Sequence, residues 1–360
     1  MNRANIGSGF LLLLIGFTAN TSYAGFDDLV RHLPDGAYTL VLFNVAEVLA
    51  SPLAVKEGWS AEQQKAFAAN WIVVPPGTDR FAMCARLELE SMHPLWEAGI
   101  ADLQTEPSMA KTAALHGGSV DEISGRSVAA LPGTYVVQFS KQLAGFRTPA
   151  NRQDAGRWIE EVYSESGRAP LSPYLAEGID YADRLGTPII VAVDLKHIFS
   201  TAFIRSRLES AEILEGQNVN LDQLSSALAS IQGMMLGILV TDHVYGKVKV
   251  DFEQDVPLTA DQAKPLLFEA LAHHGAMIDE FHQWQCAVNG KEITLAGSLL
   301  QSGRQRVFSL LDAPPALRTA APTSPSQVQE TDAKLLAMAS QQYFKSVTSL
   351  LDDLTGDRQT

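Results

Sequence analysis

The chain has 360 residues and a mass of 39.0 kDa, with 46% hydrophobic and 19% charged residues. This is the composition of a globular protein, outside the polar, charge-rich range in which a chain cannot build a core. Asp and Glu number 41 against 27 Lys and Arg, so the formal net charge is −14. The negative excess argues against nucleic acids and anionic membrane surfaces as partners, because both attract basic patches.

The first 24 residues have the pattern of a secretory signal peptide. Arg3 supplies a positive charge, residues 9–17 form an apolar stretch, and Ser22 and Ala24 are the small residues that signal peptidase requires. We therefore expect cleavage after Ala24 and export to the periplasm or the cell exterior. No other stretch approaches the ~20 apolar residues needed to span a bilayer, so the sequence predicts no transmembrane segment in the mature chain.

Two cysteines, Cys84 and Cys286, remain in the expected mature chain. An exported protein folds where disulfides can form, and these two residues allow only one pairing, which would join the front half of the chain to the back half. The alternative is two small thiols buried in strands, since free cysteine packs as a compact apolar residue.

An internal repeat relates residues 36–54 to residues 186–204 at an offset of 150, without a gap. Each copy begins with glycine and a short apolar run, continues with Asn44 or Asp194, and ends with apolar residues at helical spacing. The pattern predicts a buried strand, a helix N-cap and an amphipathic helix in each copy. It favours a duplication that gives two similar subdomains; the alternative is a chance similarity of two strand-to-helix units.

The segments after each copy are also alike, with strand patterns, turn residues and helix patterns in clusters. Asn289-Gly290 lies between two strand-like runs, which is a strong hairpin signal. The class indicated is α+β, with mostly antiparallel sheets and packed helices in two similar halves. The predicted strands are 81–90, 126–131, 134–139, 233–241, 247–255 and 292–299, and the predicted helices are 151–163, 221–231 and 259–273.

Proline is frequent after the predicted core, and one long amphipathic pattern follows it. Its shared face carries Leu336, Ala339, Tyr343, Val347, Leu350 and Leu354. This stripe indicates a C-terminal amphipathic helix. The predicted organisation is a signal peptide 1–24, a first α+β repeat 25–175, a second α+β repeat 176–311, a Pro-rich linker 312–331 and a C-terminal helix 332–360.

Catalytic motifs are incomplete or missing. Ser108 and Lys111 match the S-x-x-K of penicillin-binding enzymes, but the K-T-G element that those enzymes also need does not occur. The sequence contains no G-x-S-x-G, P-loop or G-x-G-x-x-G. We therefore assign no catalytic residue and expect no cofactor.

The densest group of potential metal ligands contains His273, His274 and His282, with two carboxylates between them. Imidazole and carboxylate groups suit zinc. However, the spacing is not H-E-x-x-H, adjacent histidines point to different sides of a helix, and Gly275 interrupts the segment. The three histidines are weak candidates, and the pattern favours a polar helix end with no metal.

Several segments carry a resemblance to a known group of proteins. Residues 33–45, followed by 51–54 and 57–59, together with 171–175 and 187–195, resemble uncharacterised exported proteins of planctomycete bacteria. The resemblance covers most of the mature chain and implies an exported protein. It brings no known activity, ligand or catalytic residue.

These observations favour an exported, non-catalytic protein that binds or assembles at the cell envelope or in the periplasm. Its partner would be an envelope protein or a small apolar ligand. Two alternatives stay open: a periplasmic carrier whose sheets and helices enclose an apolar ligand, and a hydrolase with an unrecognised site around residues 273–282 or at Asp242-His243.

Overall fold

The computed structural model describes residues 25–88, 93–164, 171–211, 214, 219–313 and 317. Three sequence predictions fall mainly beyond these residues. The signal peptide 1–24 and the C-terminal helix 332–360 lie entirely outside them, as does nearly all of the Pro-rich linker 312–331.

Within these residues, twelve strands form one sheet in which every neighbouring pair is antiparallel. The strands are β1 Thr39–Asn44, β2 Thr78–Glu88, β3 His93–Leu103, β4 Ser119–Ile123, β5 Arg126–Leu131, β6 Thr134–Gln138, β7 Leu143–Thr148, β8 Ile189–Asp194, β9 Ile231–Val240, β10 Val244–Phe252, β11 Gln285–Asn289 and β12 Glu292–Leu299. Their order across the sheet is β11-β12-β10-β9-β8-β1-β2-β3-β7-β6-β5-β4.

Helices cover both faces of this sheet, which confirms the predicted α+β class. In the described ranges they are α1 Phe26–Val30, α2 Val45–Ala50, α3 Pro52–Glu57, α4 Trp59–Ala68, α5 Met109–Leu115, α6 Arg152–Tyr163, α7 Pro173–Asp183, α8 Thr201–Glu209, α9 Leu221–Ala229, α10 Ala260–His273 and α11 Gln301–Phe308. A 3-10 turn, Asp279–Gln283, follows α10. None of the helices in this part of the chain is both long enough and apolar enough to cross a bilayer.

The two halves of the chain follow similar paths through the sheet. In the first half, β1, β2 and β3 form a meander, and β7 later pairs with β3 on its far side. In the second half, β8, β9 and β10 form a meander, and β12 later pairs with β10. The first strands of the two meanders, β1 and β8, pair with each other at the centre, so one continuous sheet contains both halves.

The predicted strand, cap and helix are found in the first copy of the repeat. Asn44 ends β1, and its side chain accepts a hydrogen bond from Glu47 N at 3.2 Å, which starts α2. In the second copy the predicted strand is found as β8, but the predicted cap is wrong, because the side chain of Asp194 accepts from Lys196 N at 2.9 Å and closes a turn. His197 then adopts φ of +62°, and the helix begins only after Ser200 caps α8.

Alternate residues of the central strands build two separate cores. The front face of the sheet, on the side of Val41 and Phe43, packs against α2, α8, α9, α10 and α11. The back face, on the side of Leu40 and Leu42, packs against α1, α6 and α7. Trp158 of α6 is 1% exposed in the back core, where its indole nitrogen donates to His32 O at 2.7 Å.

The possible Cys84–Cys286 disulfide does not form in this fold. Cys84 lies on β2 in the back core, whereas Cys286 lies on β11 against the front core. Six strand spacings separate β2 from β11, which is about 29 Å at ~4.8 Å each. A disulfide needs Cα atoms within about 7 Å, so the alternative of two thiols in strands describes the structure.

Candidate functional site

A pocket of about 340 Å³ opens on the front face, next to the end of β1. Its walls come from α2, α4, the segment after α4, and α11. The apolar part of the lining consists of Phe43, Val45, Val48, Leu49, Ala66, Ile72, Val74, Phe308 and Leu311. The volume falls in the range of ~300–1,000 Å³ that is typical of small-molecule sites, and a mostly apolar lining is also typical of them.

Two local signals in the sequence bend the chain around this pocket. Ser51 accepts a hydrogen bond from Ala54 N at 3.3 Å and Pro52 follows at the first helical position, which ends α2 and starts α3. Gly58 has φ of +73°, a left-handed conformation that favours glycine. Gly58 therefore ends α3 and redirects the chain into α4, which places Trp59 and Ala66 in the pocket wall.

Three aromatic rings line one side of the pocket. The rings of Trp59 and Phe308 meet edge to face with centroids 5.2 Å apart, and Phe308 and Phe43 have centroids 6.1 Å apart. The contacts connect α4, α11 and β1 through side chains alone. They supply a rigid apolar surface, because aromatic rings offer large contact area with few rotatable bonds.

An ion pair crosses the mouth of the pocket. Arg304 Nη1 donates to Glu57 Oε2 at 2.9 Å, and Trp59 Nε1 donates to the same oxygen at 2.8 Å. The Arg304 guanidinium also lies over the Trp59 ring, 5.6 Å from its centroid. The hydrogen bonds from Trp59 and Arg304 lower the pKa of Glu57, so this carboxylate stays ionised and neutralises Arg304.

A buried carboxylate fixes the start of α11, the helix that carries Arg304 and Phe308. The N-cap position of this helix is Leu300, whose side chain cannot cap it. Glu280, 5% exposed in the 3-10 turn, instead accepts hydrogen bonds from Ser302 Oγ at 2.8 Å and Gly303 N at 2.9 Å. Burial raises the pKa of Glu280, but the hydrogen bonds outweigh that effect and lower it overall.

A short backbone strap joins two segments that contribute to the pocket lining. Val73 N donates to Leu311 O at 2.9 Å, and Ala313 N donates to Trp71 O at 2.7 Å. These bonds form a two-residue antiparallel bridge between Ile72 and Asp312. The strap joins the segment after α4 to the segment after α11, so both sides of the pocket are tied together.

The histidines that the sequence marks as weak metal candidates lie at the end of α10 and beyond it. The rings of His273 and His274 meet edge to face with centroids 5.1 Å apart, and His282 packs edge to face on Phe268 at 4.9 Å. In the chain as described, no three His, Cys, Asp or Glu side chains form a group that could hold a metal ion. Burial, followed by the charge of His273, lowers the pKa of His274.

The other two sequence motifs have local structural roles. Ser108, the serine of the S-x-x-K match, accepts a hydrogen bond from Lys111 N at 3.3 Å and is the N-cap of α5. Asp242 and His243 lie in the exposed turn between β9 and β10, where Asp242 Oδ1 is 2.6 Å from His243 Nδ1 and 3.0 Å from Thr241 Oγ1. Both contacts stay within the turn.

A polar cluster on the back face attaches α7 to β10. Tyr174 OH donates to Asp251 Oδ2 at 2.9 Å, and Lys249 Nζ lies 3.2 Å from Asp251 Oδ1. Tyr181 OH accepts from the same Lys249 at 3.4 Å. Burial, with the charge of Asp251, raises the pKa of Tyr174, so its hydroxyl stays protonated and donates. The cluster joins α7 to β10.

The pocket residues could not be identified from the sequence. Trp59, Arg304 and Phe308 carry no motif, and the two groups that they belong to lie at opposite ends of the described chain. The available signals were local: a serine cap at Ser51 and a glycine before Trp59. Neither of them indicates that α4 faces α11.

Comparisons of this chain with known proteins give structural likenesses at low sequence identity. No protein-family model matches it, and no curated protein matches it at a significant level. Three crystal structures of a protein called TP0453 are similar in shape: crystal form I (11% identity, TM-score 0.45), form III (12%, 0.47) and form IV (12%, 0.41). The alignments cover 78–79% of this chain and 96–98% of TP0453. A likeness at this level carries no argument about function.

Proposed function

We propose that this chain is an exported binding protein of the cell envelope, which holds a small, uncharged and largely apolar molecule in the pocket between α4 and α11. The observation that carries the proposal is a pocket of about 340 Å³ with a mostly apolar lining. Val48 and Val74, each 2% exposed, form part of the pocket wall. Burying apolar ligand surface against such a lining stabilises a complex by about 25 cal/mol per Å² before the costs of association.

The charges at the mouth favour an uncharged ligand over an anionic one. Arg304 is the cation of the pocket lining, and Glu57 already neutralises it. Glu62 adds a further negative charge to the lining. A fatty-acid carboxylate would have to displace Glu57 from Arg304, whereas a neutral polar group can bind the amides of Gln301 and Gln305.

The expected place of action comes from the sequence. Residues 1–24 have the charge, apolar stretch and small residues of a signal peptide. Fractionation of the native host should therefore recover the protein outside the cytoplasm. Recovery in the cytoplasm alone would contradict the export part of the proposal without bearing on ligand binding.

A fluorescent probe tests the pocket directly. N-phenyl-1-naphthylamine is uncharged and apolar and emits strongly only when it is shielded from water. We expect it to bind the purified protein at one site, and we expect Ala66→Trp, which fills the pocket from α4, to weaken binding at least about tenfold, a loss of ~1.4 kcal/mol. The matched control is Ala68→Trp, because Ala68 is exposed on the same helix and does not line the pocket.

Equal probe binding by the two tryptophan variants would overturn the proposed site. Cooperative unfolding of Ala66→Trp, followed by circular dichroism, would show that the loss of binding is not a loss of fold. Native mass spectrometry of the unmodified protein from an exporting host adds a second readout. A co-purified mass that Ala68→Trp retains and Ala66→Trp loses would identify the natural ligand.

A further inference from the structure

The backbone at Gly25 lies against the carboxylate of Asp183, the last residue of α7. Phe26 N donates to Asp183 Oδ1 at 3.0 Å. A Cβ built on Gly25 would come within 2.4 Å of Asp183 Oδ2, so the second carboxylate oxygen closely approaches the Gly25 Cα. The Gly25 nitrogen is bonded to that same Cα. Asp183 therefore lies close to the backbone of Gly25.

Gly25 is held in this place by the helix that follows it. Phe26 and Leu29 of α1 are 2% and 3% exposed, and both belong to the back core. The helix packs against α7, β2 and β3. Because these contacts anchor α1, the chain at Gly25 stays next to Asp183 whether or not residues precede it.

We propose that Gly25 is the first residue of the mature protein and that its new α-ammonium group forms an ion pair with Asp183. The inference rests on the export proposed above, since it uses the same cleavage site. Hydrolysis of the bond between Ala24 and Gly25 adds one water, leaving a carboxylate on Ala24 and an amine on Gly25. With an ordinary pKa of about 7.7–8.0, that amine is protonated at neutral pH. Asp183 thus faces a neutral amide before cleavage and a cation after it.

The charges around this junction support a cation at Gly25. Asp27 lies in the first turn of α1 and adds a negative charge, whereas Asp28 in the same turn is paired with Arg31 at 3.7 Å. Arg80, whose guanidinium lies 6.0 Å from the Phe26 ring centroid, is paired with Asp102 at 2.7 Å. On α7, Asp180 binds Arg184 at 3.0 Å, so these two charges largely cancel. The surroundings of the Gly25 nitrogen are therefore net negative, which stabilises an ammonium group.

The first experiment determines where the exported chain begins. Edman sequencing and intact mass of the protein recovered from the exporting host should give Gly25 as the first residue. A different first residue in protein that is recovered outside the cytoplasm would overturn this inference while leaving export intact. Protein found only in the cytoplasm would instead contradict the export on which the inference rests.

The second experiment measures the ion pair. Only the neutral amine reacts with an acylating reagent, so an ion pair that raises its pKa by about half a unit slows labelling at pH 7 about threefold. We expect Asp183→Asn to label about threefold faster than the unmodified mature protein at pH 7 and equally fast at pH 10. Asp180→Asn, with its partner Arg184 on the same helix, is the matched control and should label like the unmodified protein. Equal rates for Asp183→Asn and the unmodified protein at pH 7 would overturn the pairing.

Discussion

Val41 and Val191 lie directly opposite each other in the central pair of strands, and the 150 residues between them equal the offset of the sequence repeat. The pairs on either side are symmetric about this one, with Thr39 opposite Val193 and Phe43 opposite Ile189. A two-fold axis that is normal to the sheet and passes between Val41 and Val191 requires this register. Duplication of an ancestral half stays a prediction of the sequence.

The central register can be tested with a cross-link. Asn44 N donates to Pro188 O and Asp194 N donates to Tyr38 O, so Val41 and Val191 form a non-hydrogen-bonded pair with Cα atoms about 4.5 Å apart. We expect Val41→Cys with Val191→Cys to form a disulfide on mild oxidation, detected by peptide mapping under non-reducing conditions.

The control for this cross-link is a pair shifted by two residues. Val41→Cys with Val193→Cys places the thiols on the same face but diagonally, with about 7–8 Å between them. This pair should cross-link poorly. Efficient cross-linking of the shifted pair in preference to the matched pair would contradict the register.

Loss of the Glu280 carboxylate should loosen α11. Glu280→Gln removes the charge that binds Ser302 Oγ and Gly303 N, so we expect the free energy of unfolding to fall by about 1–3 kcal/mol. Urea denaturation checks this value. Asp279→Asn is the matched control, because Asp279 is the exposed neighbour in the same turn, and it should change stability by less than about 0.5 kcal/mol.

The Glu280 carboxylate should also make the free energy of unfolding depend on pH in the acid range. The pKa of Glu280 is lowered in the folded protein, so its contribution is complete above the ordinary glutamate value of 4.5 and is lost as the pH falls through the lowered pKa. Glu280→Gln should therefore lose less stability between pH 5 and pH 3 than the unmodified protein. A parallel acid dependence in both proteins would exclude Glu280 as a source of it.

Trp284 occupies a slot made by two glycines that face each other on β10 and β12. Gly246 and Gly297 are paired, and a Cβ on Gly297 would lie 2.4 Å from Trp284 Cδ1. We expect Gly297→Ala to destabilise the fold by about 1–3 kcal/mol, because the buried indole cannot move aside. In Gly237→Ala on β9, the new Cβ would lie 3.3 Å from its nearest neighbour, Thr187, so we expect a clearly smaller loss of stability. Thermal unfolding of both variants measures the two losses.

His116 should make the protein less stable in mild acid. It is 7% exposed, its Nδ1 has no hydrogen-bond partner among the described residues, and burial lowers its pKa below 6.5. The folded state therefore resists protonation, and its stability is complete above pH 6.5 and falls as the pH drops towards the lowered pKa. His116→Asn should reduce the loss of stability between pH 7.5 and pH 5, measured by urea midpoints.

The exposed His243 provides the comparison for that measurement. Its ring is 64% exposed in the turn between β9 and β10. His243→Asn should leave the acid dependence of the urea midpoint unchanged. An acid dependence that His116→Asn retains in full would show that other groups produce it.

The sequence predicted the elements whose signals are local. The predicted strands 126–131 and 292–299 coincide with β5 and β12, and Asn151 and Thr259 cap the predicted helices α6 and α10. In contrast, β3 was missed because His93–Leu103 contains Pro94, Glu97 and Gly99 and lacks a clear alternation of apolar and polar residues. The short strand β7 was missed as well.

The pocket could not be predicted from the sequence for a different reason. The apolar residues on α2 and α11 look like ordinary core residues, and their common environment depends on how the sheet brings the two helices together. The helix predicted directly after Asp194 is a second case in which the apolar spacing alone did not determine the structure. A turn at Asp194 and the left-handed His197 displaced the helix to Ser200, although the apolar spacing was helical.

The strap consists of the hydrogen bonds from Ala313 N to Trp71 O and from Val73 N to Leu311 O. It also determines when the pocket can form during synthesis of the chain. Its two sides belong to segments that are made early and late in synthesis, with nearly the whole sheet encoded between them. Contacts of such high sequence separation form slowly, because the intervening chain must first be ordered. A chain that has not yet been made as far as Ala313 therefore lacks the strap, and ligand capture reports that the two segments have both been made and have come together.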